Sequence, residues 1–150
     1  MRFLFFTFIV LAADQGSKYL VRLFLEPEQS VPIIPKILHF TYVNNPGAAF
    51  GLFAYQTPFF ITVSFIVILI IVFASFRVVR EGKALGLALS LQLGGALGNL
   101  LDRMRFGYVI DFLDFRIWPV FNLADVAIVA GVALLCWELL RPAAGKKEVL

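Results

Sequence analysis

The sequence has few of the residues on which soluble enzymes most often rely. Its 150 residues include one cysteine and one histidine, and only 15% are charged, against about 25% in an average soluble domain. A single cysteine excludes an internal disulfide, and a single histidine excludes a His-Glu-x-x-His zinc site. The net charge of +3 is small and scattered, so no nucleic-acid partner is expected. A serine–histidine mechanism would have to use His39. Zinc and serine chemistry are therefore disfavoured, and we expect no metal and no cofactor.

Long apolar stretches make up most of the chain. Hydrophobic residues account for 61% of the sequence, compared with roughly 45–50% in an average soluble domain. A transmembrane helix needs about 20 predominantly apolar residues, and four stretches meet this requirement. They run over residues 3–25, 57–76, 84–103 and 122–140. Because no flexible linker or internal repeat divides the chain, we predict one integral membrane domain over residues 1–150.

The distribution of Lys and Arg predicts the orientation of these helices, because short cytoplasmic loops are enriched in basic residues. Four spans place both termini on the same side of the membrane. That side carries seven basic residues, Arg2, Arg77, Arg80, Lys83, Arg141, Lys146 and Lys147, and the other side carries four, Lys36, Arg103, Arg105 and Arg116. We therefore predict that both termini are cytoplasmic and that the longer connections, with the function, face outward.

The first outer connection predicts a small β structure. Apolar residues partly alternate over Leu38–Val43, and Asn44-Asn45-Pro46-Gly47 is a strong turn signal. We expect a strand–turn–strand element within an outer β segment over about residues 30–56, with His39 as an ordinary polar residue in it.

The first span carries charged residues that cannot all face lipid. Asp14, Lys18 and Arg22 recur every four residues and so share one face of a helix. Because a charge at mid-bilayer costs at least about 2.5–3.5 kcal/mol, such residues normally face the interior of a helix bundle or water. The spacing fits a structural Asp14–Lys18 pair with Arg22 reaching outward, and it equally fits direct participation in a site. Asp14 points inward in both cases.

The third span ends in a glycine-rich polar motif. Gly94 and Gly98 form a small-xxx-small face that lets helices approach closely, and packing alone would explain them. Asn99 lies three residues before Asp102 and four before Arg103, which groups an amide, a carboxylate and a guanidinium at the outer helix end. Arg103 could simply neutralise Asp102.

Two further acids lie at the same predicted membrane face. Asp111 stands among apolar residues just beyond the third span, and Asp125 stands at the start of the fourth. Asn122 and Asp125 are also ordinary helix-starting residues, and by spacing alone that interpretation is favoured. Their location favours a site, because the connection between the two helices brings Asp111 and Asp125 to one face. Paired carboxylates share one proton, so one can act as base and the other as acid in peptide hydrolysis.

The ordered motifs resemble those of the prolipoprotein signal peptidase family, the type II signal peptidases, over nearly the whole chain. The blocks that carry the resemblance are Asp14 with Lys18, Asn45-Pro46-Gly47-Ala48-Ala49-Phe50, Gly94–Arg103, Val109-Ile110-Asp111-Phe112 and Phe121-Asn122-Leu123-Ala124-Asp125. Five blocks in order are highly specific. One departure is that only 13 residues separate Asp111 from Asp125, a connection that looks short for the family.

The resemblance implies an aspartyl endopeptidase of the bacterial cell (inner) membrane that cuts diacylglyceryl-modified prolipoproteins before the lipidated lipobox cysteine. It implies that Asp111 and Asp125 are the catalytic dyad and that a second set of residues shapes or supports the site: Asp14, Lys18, Asn45, Asn99, Asp102, Arg103, Asn122 and Ala124. It also implies an outer β-cradle around Asn45. We therefore predict an all-α membrane protein of four transmembrane helices, with a small extracytoplasmic β-cradle and a short surface helix. Membrane lipids, inhibitors of the globomycin type and a monomeric state are further expectations.

Two other classes of function fit parts of the sequence. Asp14 and Lys18 inside a helix would suit a small transporter or proton-conducting protein, although the polar residues gather toward one face instead of crossing the bilayer. A non-catalytic assembly subunit would use the glycine face to bind a partner helix and the acids only as helix caps.

Overall fold

The computed structural model describes residues 2–47, 53–78 and 82–141. Four long helices, α1 (Arg2–Phe24), α2 (Thr57–Val78), α3 (Lys83–Phe106) and α4 (Leu123–Leu140), are each long and apolar enough to cross a membrane. Three strands, β1 (Ser30–Ile34), β2 (Leu38–Asn45) and β3 (Val109–Asp114), form one antiparallel sheet. The helix ends lie within three residues of the sequence-based bounds. The predicted fold class, a membrane protein of four long helices with a small antiparallel sheet, is confirmed.

Helix α3 is the centre of the bundle and contacts each of the other three helices. Its glycines make this close approach possible. A Cβ on Gly94 would lie 2.7 Å from Val10 Cβ of α1, a distance that real Cβ contacts do not reach. A Cβ on Gly95 would collide with the Ala124 carbonyl oxygen of α4, and one on Gly98 would collide with the Asp14 carboxylate. The glycine motif therefore lets both α1 and α4 pack closely against α3.

The sheet differs from the expected strand–turn–strand element in the position of its turn. Strands β1 and β2 form a hairpin that turns at residues 35–37, whereas Asn44 and Asn45 lie within β2. The predicted turn at Asn44–Gly47 is therefore wrong in its first half, because the described chain is still extended at Asn44 and Asn45 and bends at residues 46–47. Pro32 lies in β1, an edge strand that tolerates the missing backbone donor.

Strand β3 was not predicted, and it is the element that positions Asp111. Helix α3 ends at Phe106 and is followed by Gly107, whose φ of 81° is the left-handed conformation that glycine adopts without strain. The chain then turns back and pairs with β2, so that Asn45 lies opposite Val109 and Val43 lies opposite Asp111. Because side chains alternate along a strand, Ile110 and Phe112 join an apolar cluster with Val21 of α1, and the residue between them points to the other side.

The predicted short surface helix is not found within residues 2–47, 53–78 and 82–141, where residues 53–55 form a turn instead. Several residues named from the sequence lie outside the described residues: Ala48, Ala49, Phe50, Arg80, Lys146 and Lys147.

Candidate active site

One cavity of about 290 Å³ lies where the C-terminal end of α3, strand β3 and the start of α4 meet. Both Asp111 and Asp125 line it. The loop between them, residues 115–122, closes one side, because Phe121 bonds through its backbone to Leu113 and so folds the short connection back onto β3. The remaining lining residues come from both the helices and the sheet: Asn45, Gly47, Asn99, Arg103, Val109, Trp118, Pro119, Val120 and Phe121.

Asp111 is the more deeply buried of the two acids, with 2% of its surface exposed. Its Oδ1 accepts a hydrogen bond from Asn122 Nδ2 at 2.6 Å, and its Oδ2 accepts one from Asn45 Nδ2 at 2.8 Å. Burial and repulsion from Asp125 outweigh these two bonds and raise the pKa of Asp111 from 3.8 to about 7. A carboxyl with this pKa can hold a proton near neutral pH and release it without a large cost.

Asp125 lies in the first turn of α4 and is half-buried. Its Oδ1 accepts from Asn99 Nδ2 at 2.8 Å and its Oδ2 accepts from the Asn122 backbone N–H at 3.2 Å. The Asn122 side chain in return accepts from the Asp125 N–H at 3.0 Å, which completes a capping box. Asn122 and Asp125 are thus both the helix start that their spacing favours and residues that meet Asp111 at the cavity.

Three asparagines donate to the two acids, and each has its amide oxygen occupied by a group that can only donate. Asn45 Oδ1 accepts from the Gly47 N–H, Asn122 Oδ1 accepts from the Asp125 N–H, and Asn99 Oδ1 accepts from Lys18 Nζ. The amide NH₂ group of each asparagine must therefore face a carboxylate. All four carboxylate oxygens of the pair receive a hydrogen bond from the protein.

Beneath the cavity, Asp14 and Lys18 of the first span form a buried cluster with Asp102 of α3. Lys18 Nζ lies 2.9 Å from Asp14 Oδ2 and 2.8 Å from Asp102 Oδ2, and all three side chains are at most 2% exposed. The expected Asp14–Lys18 pair is thus present, with Asp102 as a third member. Asp14 Oδ1 accepts from the Ala124 N–H, and Asp102 Oδ2 accepts from the Ile110 N–H. The cluster therefore ties α1 to the elements that carry both cavity acids.

Gln15 belongs to this cluster and was not identified from the sequence. Its Nε2 lies within hydrogen-bond distance of Asp102 Oδ1 at 2.9 Å, and of Asp14 Oδ2 and the Gly98 carbonyl oxygen at 3.2 Å each. The signal that could have identified Gln15 was its position three residues before Lys18 in a mostly apolar helix, since residues at that spacing are neighbours on a helix surface.

Arg103 does not neutralise Asp102, because successive residues of a helix point about 100° apart. Asp102 faces α1, and Arg103 faces the cavity. Its guanidinium donates to the Gly47 carbonyl oxygen at 3.3 Å and lies 4.8 Å from the centre of the Phe60 ring. The interpretation that Arg103 simply neutralises Asp102 is thus wrong. Arg22, in contrast, reaches outward and lies over the Phe106 ring.

A second polar group occupies the sheet away from the cavity. Thr41 donates to Asp114 at 2.7 Å, and Arg116 forms an ion pair with the same carboxylate at 2.9 Å. Burial raises the pKa of Asp114, but these partners outweigh it and leave that pKa below the usual value. His39 contacts Ser30 in the hairpin, as expected of an ordinary polar residue.

The fold and the cavity together define a multi-pass membrane protein with a pair of coupled carboxylates at one end of its helix bundle. The family model described as "Signal peptidase (SPase) II" matches residues 6–141. The chain belongs to the signal peptidase II family and is therefore a peptidase.

Individual relatives agree with this assignment. The lipoprotein signal peptidase of Moorella thermoacetica is 57% identical over 143 residues, which cover 95% of each chain. That of Pelotomaculum thermopropionicum is 47% identical over 142 residues, which cover 93% of each. A solved structure of a bacterial membrane enzyme is 32% identical and has a TM-score of 0.90, with 98% of this chain and 92% of that one covered.

Proposed function

We propose that the chain is an aspartyl endopeptidase that removes the signal peptide from diacylglyceryl-modified prolipoproteins. The cut would fall just before the lipidated lipobox cysteine, and the catalytic dyad would be Asp111 and Asp125. We further propose that the enzyme acts as a monomer among membrane lipids and that inhibitors of the globomycin type bind in the same cavity.

The observation that carries this proposal is the convergence of two carboxylates on one cavity. Asn122 donates its side-chain N–H to Asp111 and its backbone N–H to Asp125, so a single residue bridges the pair. Repulsion from Asp125 contributes to the raised pKa of Asp111, as expected of two acids that hold one proton between them. This is the arrangement on which aspartic-protease chemistry depends.

The proposed reaction follows from the two protonation states. The ionised carboxylate takes a proton from a water molecule while the water oxygen bonds to the scissile carbonyl carbon. The protonated carboxyl donates a hydrogen bond to the carbonyl oxygen as that oxygen gains negative charge. When the C–N bond breaks, the leaving amine receives a proton from the acid of the pair. Arg103, also at the cavity, would place a positive charge near the developing oxyanion.

The position of the dyad suits a substrate held in the membrane. Asp111 lies just beyond the end of α3, and Asp125 lies in the first turn of α4, which supports a site at a membrane surface and not at mid-bilayer. An acylated cysteine could then reach the site while its acyl chains stay in lipid. The helix ends opposite the site carry the basic residues Arg2, Arg77, Lys83 and Arg141. Because basic residues are enriched on the cytoplasmic side, we propose that both termini are cytoplasmic and that the site faces outward.

A cleavage assay tests the dyad. Purified protein in lipid should cut a lipobox peptide that carries the diacylglyceryl group and should leave the unmodified peptide intact. Asp111→Asn and Asp125→Asn should each abolish cleavage while the protein stays folded. Asp114→Asn is the matched control, because it neutralises an acid of the same strand whose partners are Thr41 and Arg116. Full activity in either dyad variant would refute the mechanism.

A further inference from the structure

The number of hydrogen bonds that the protein donates to the dyad does not distinguish its two members. Asp111 and Asp125 each accept two hydrogen bonds from the protein. Since such bonds stabilise the ionised form of a carboxylate, they favour ionisation of both acids to a similar degree. Other features must decide which member carries the proton.

Burial and helix position differ between the two acids. Asp111 is 2% exposed and lies in a strand between apolar neighbours, which disfavours its charged form. Asp125 is less buried and lies in the first turn of α4, where the helix dipole favours a negative charge. The geometry thus favours an ionised Asp125 beside a protonated Asp111.

This allocation depends on the orientation of the Asn99 amide. With its NH₂ group toward Asp125, Asn99 donates to an ionised carboxylate. If the amide were flipped, its oxygen would face Asp125. Since an amide oxygen can only accept a hydrogen bond, that contact would be favourable only with a proton on Asp125. The proton would then be drawn from Asp111 to Asp125, and the two roles would exchange.

Lys18 is the group that opposes this flip most strongly. Its Nζ donates to Asn99 Oδ1 at 3.0 Å, and its other two contacts are Asp14 and Asp102, so three acceptors use its three N–H groups. Asn122 Nδ2 also donates to Asn99 Oδ1, at 3.1 Å, but that bond is between neutral groups. A hydrogen bond from an ammonium is roughly twice as strong.

We propose that Lys18 is a positioning residue which, by fixing the Asn99 amide, keeps Asp125 ionised as the base of the dyad. Asp111 is then the acid. This inference rests on the proposed aspartyl function and adds the allocation of roles within it. The charged groups near the pair are Arg103 and Asp102 on α3 and Lys18 and Asp14 on α1. Within the described residues, only Lys18 among them forms a hydrogen bond with an asparagine that itself donates to the dyad.

The test is the pH dependence of kcat/KM for cleavage of the diacylglyceryl peptide. Lys18→Met should move the acid limb of the profile toward higher pH by about one unit, the size of one hydrogen bond's preference between two protonation states. Asn99→Ala should move the same limb in the same direction. The double variant should shift no further than the larger single shift, since both changes remove one donor to Asp125.

Gln15→Ala is the matched control. Gln15 contacts Asp14 and Asp102, as Lys18 does, but its third hydrogen-bond partner is the Gly98 carbonyl oxygen and not Asn99. Its removal should lower stability and leave the acid limb in place. Equal shifts of the acid limb for Gln15→Ala and Lys18→Met would mean that the cluster acts only through folding. Additive shifts in the Lys18→Met/Asn99→Ala double variant would mean that Lys18 does not act through Asn99. Either result overturns the proposal.

Lys18→Met leaves two buried carboxylates without their cation and could prevent folding. In that case Lys18→Met/Asp14→Asn, which preserves the net charge of the cluster, is measured in its place, with Asp14→Asn alone as its reference. An acid limb identical to that reference overturns the role of Lys18. Failure of the proposed function is distinguishable, because it would appear as wild-type protein that does not cleave the peptide or as activity retained in Asp111→Asn.

Discussion

Replacement of Asn45 by alanine should move the alkaline limb of the activity profile to higher pH. Asn45 Nδ2 donates to Asp111 Oδ2 at 2.8 Å, and this bond lowers the pKa of Asp111 because it stabilises the ionised form. Without it, the pKa should rise above about 7. If Asp111 is the acid, the enzyme then keeps its catalytic proton to higher pH, and the fall in activity on the alkaline side begins later.

The structure sets the size of the effect. A hydrogen bond to a charged group contributes about 1.5–3 kcal/mol, and 1.36 kcal/mol corresponds to one pKa unit. Asp111 retains the 2.6 Å bond from Asn122, and water entering the space left by Asn45 would replace part of the lost interaction. We therefore expect a shift of about one unit, at the low end of that range.

The assay is kcat/KM for the lipidated peptide from acid to alkaline pH, in wild type, Asn45→Ala and Asn44→Ala. Asn44 is the neighbouring strand residue, and its buried Oδ1 has no hydrogen-bond donor within the described residues. Asn44→Ala should therefore leave both limbs where they are. An alkaline limb that stays in place or moves to lower pH in Asn45→Ala would contradict the assignment of this limb to Asp111.

Three predictions concern stability, measured by unfolding in detergent. The pKa of Asp111 is about 7 in the folded protein against a usual 3.8, so the stability contributed by this group is complete below pH 3.8 and is lost as the pH rises through 7. The free energy of unfolding of Asp111→Asn should therefore exceed that of wild type by up to about 4 kcal/mol at pH 8 and by little at pH 4. Gly95→Ala would push a Cβ into the Ala124 carbonyl oxygen and should cost roughly 1–3 kcal/mol of stability. A Cβ at Gly16 would meet nothing within 4 Å beyond its own stretch of helix, so Gly16→Ala should be neutral or stabilising. The pKa of Asp114 is lowered in the folded protein, so the stability that this group contributes is present above its usual pKa and is lost as the pH falls through the lowered pKa. Asp114→Asn should therefore reduce the free energy of unfolding by about 1 kcal/mol at pH 7 and leave it unchanged in strong acid. An equal cost at both pH values would contradict the lowered pKa of Asp114.

Side-chain chemistry that acts within a few residues was predictable from the sequence. Asn122 and Asp125 form a helix start because an N-cap and its third residue are local partners, and the structure contains that capping box. The pairing of Asp14 with Lys18 followed from helical spacing, which holds four residues apart in any helix. Gly94 and Gly98 indicated close packing without identifying the helix that would approach them.

Interactions between distant residues were not predictable in the same way. Strand β3 was missed because its six residues carry two acids and pair with a partner more than 60 positions earlier. The turn at Asn44–Gly47 was misplaced because the pairing of Asn45 with Val109 extends β2 through a strong turn signal. Tertiary pairing overrode local propensity in both cases.

The sequence by itself determined that this protein spans a membrane, because the length and apolar character of four segments leave no other stable environment for them. It also determined which polar residues must face inward, since the cost of exposing a charge to lipid does not depend on the fold. Only the tertiary structure decided what those residues contact: that Lys18 reaches Asn99 as well as two acids, that Arg103 turns from Asp102 to the cavity, and that three amides present their NH₂ groups to Asp111 and Asp125. The orientation of an amide is set by the donors around it, and here those donors come from other helices and strands, so no local pattern in the chain could specify it.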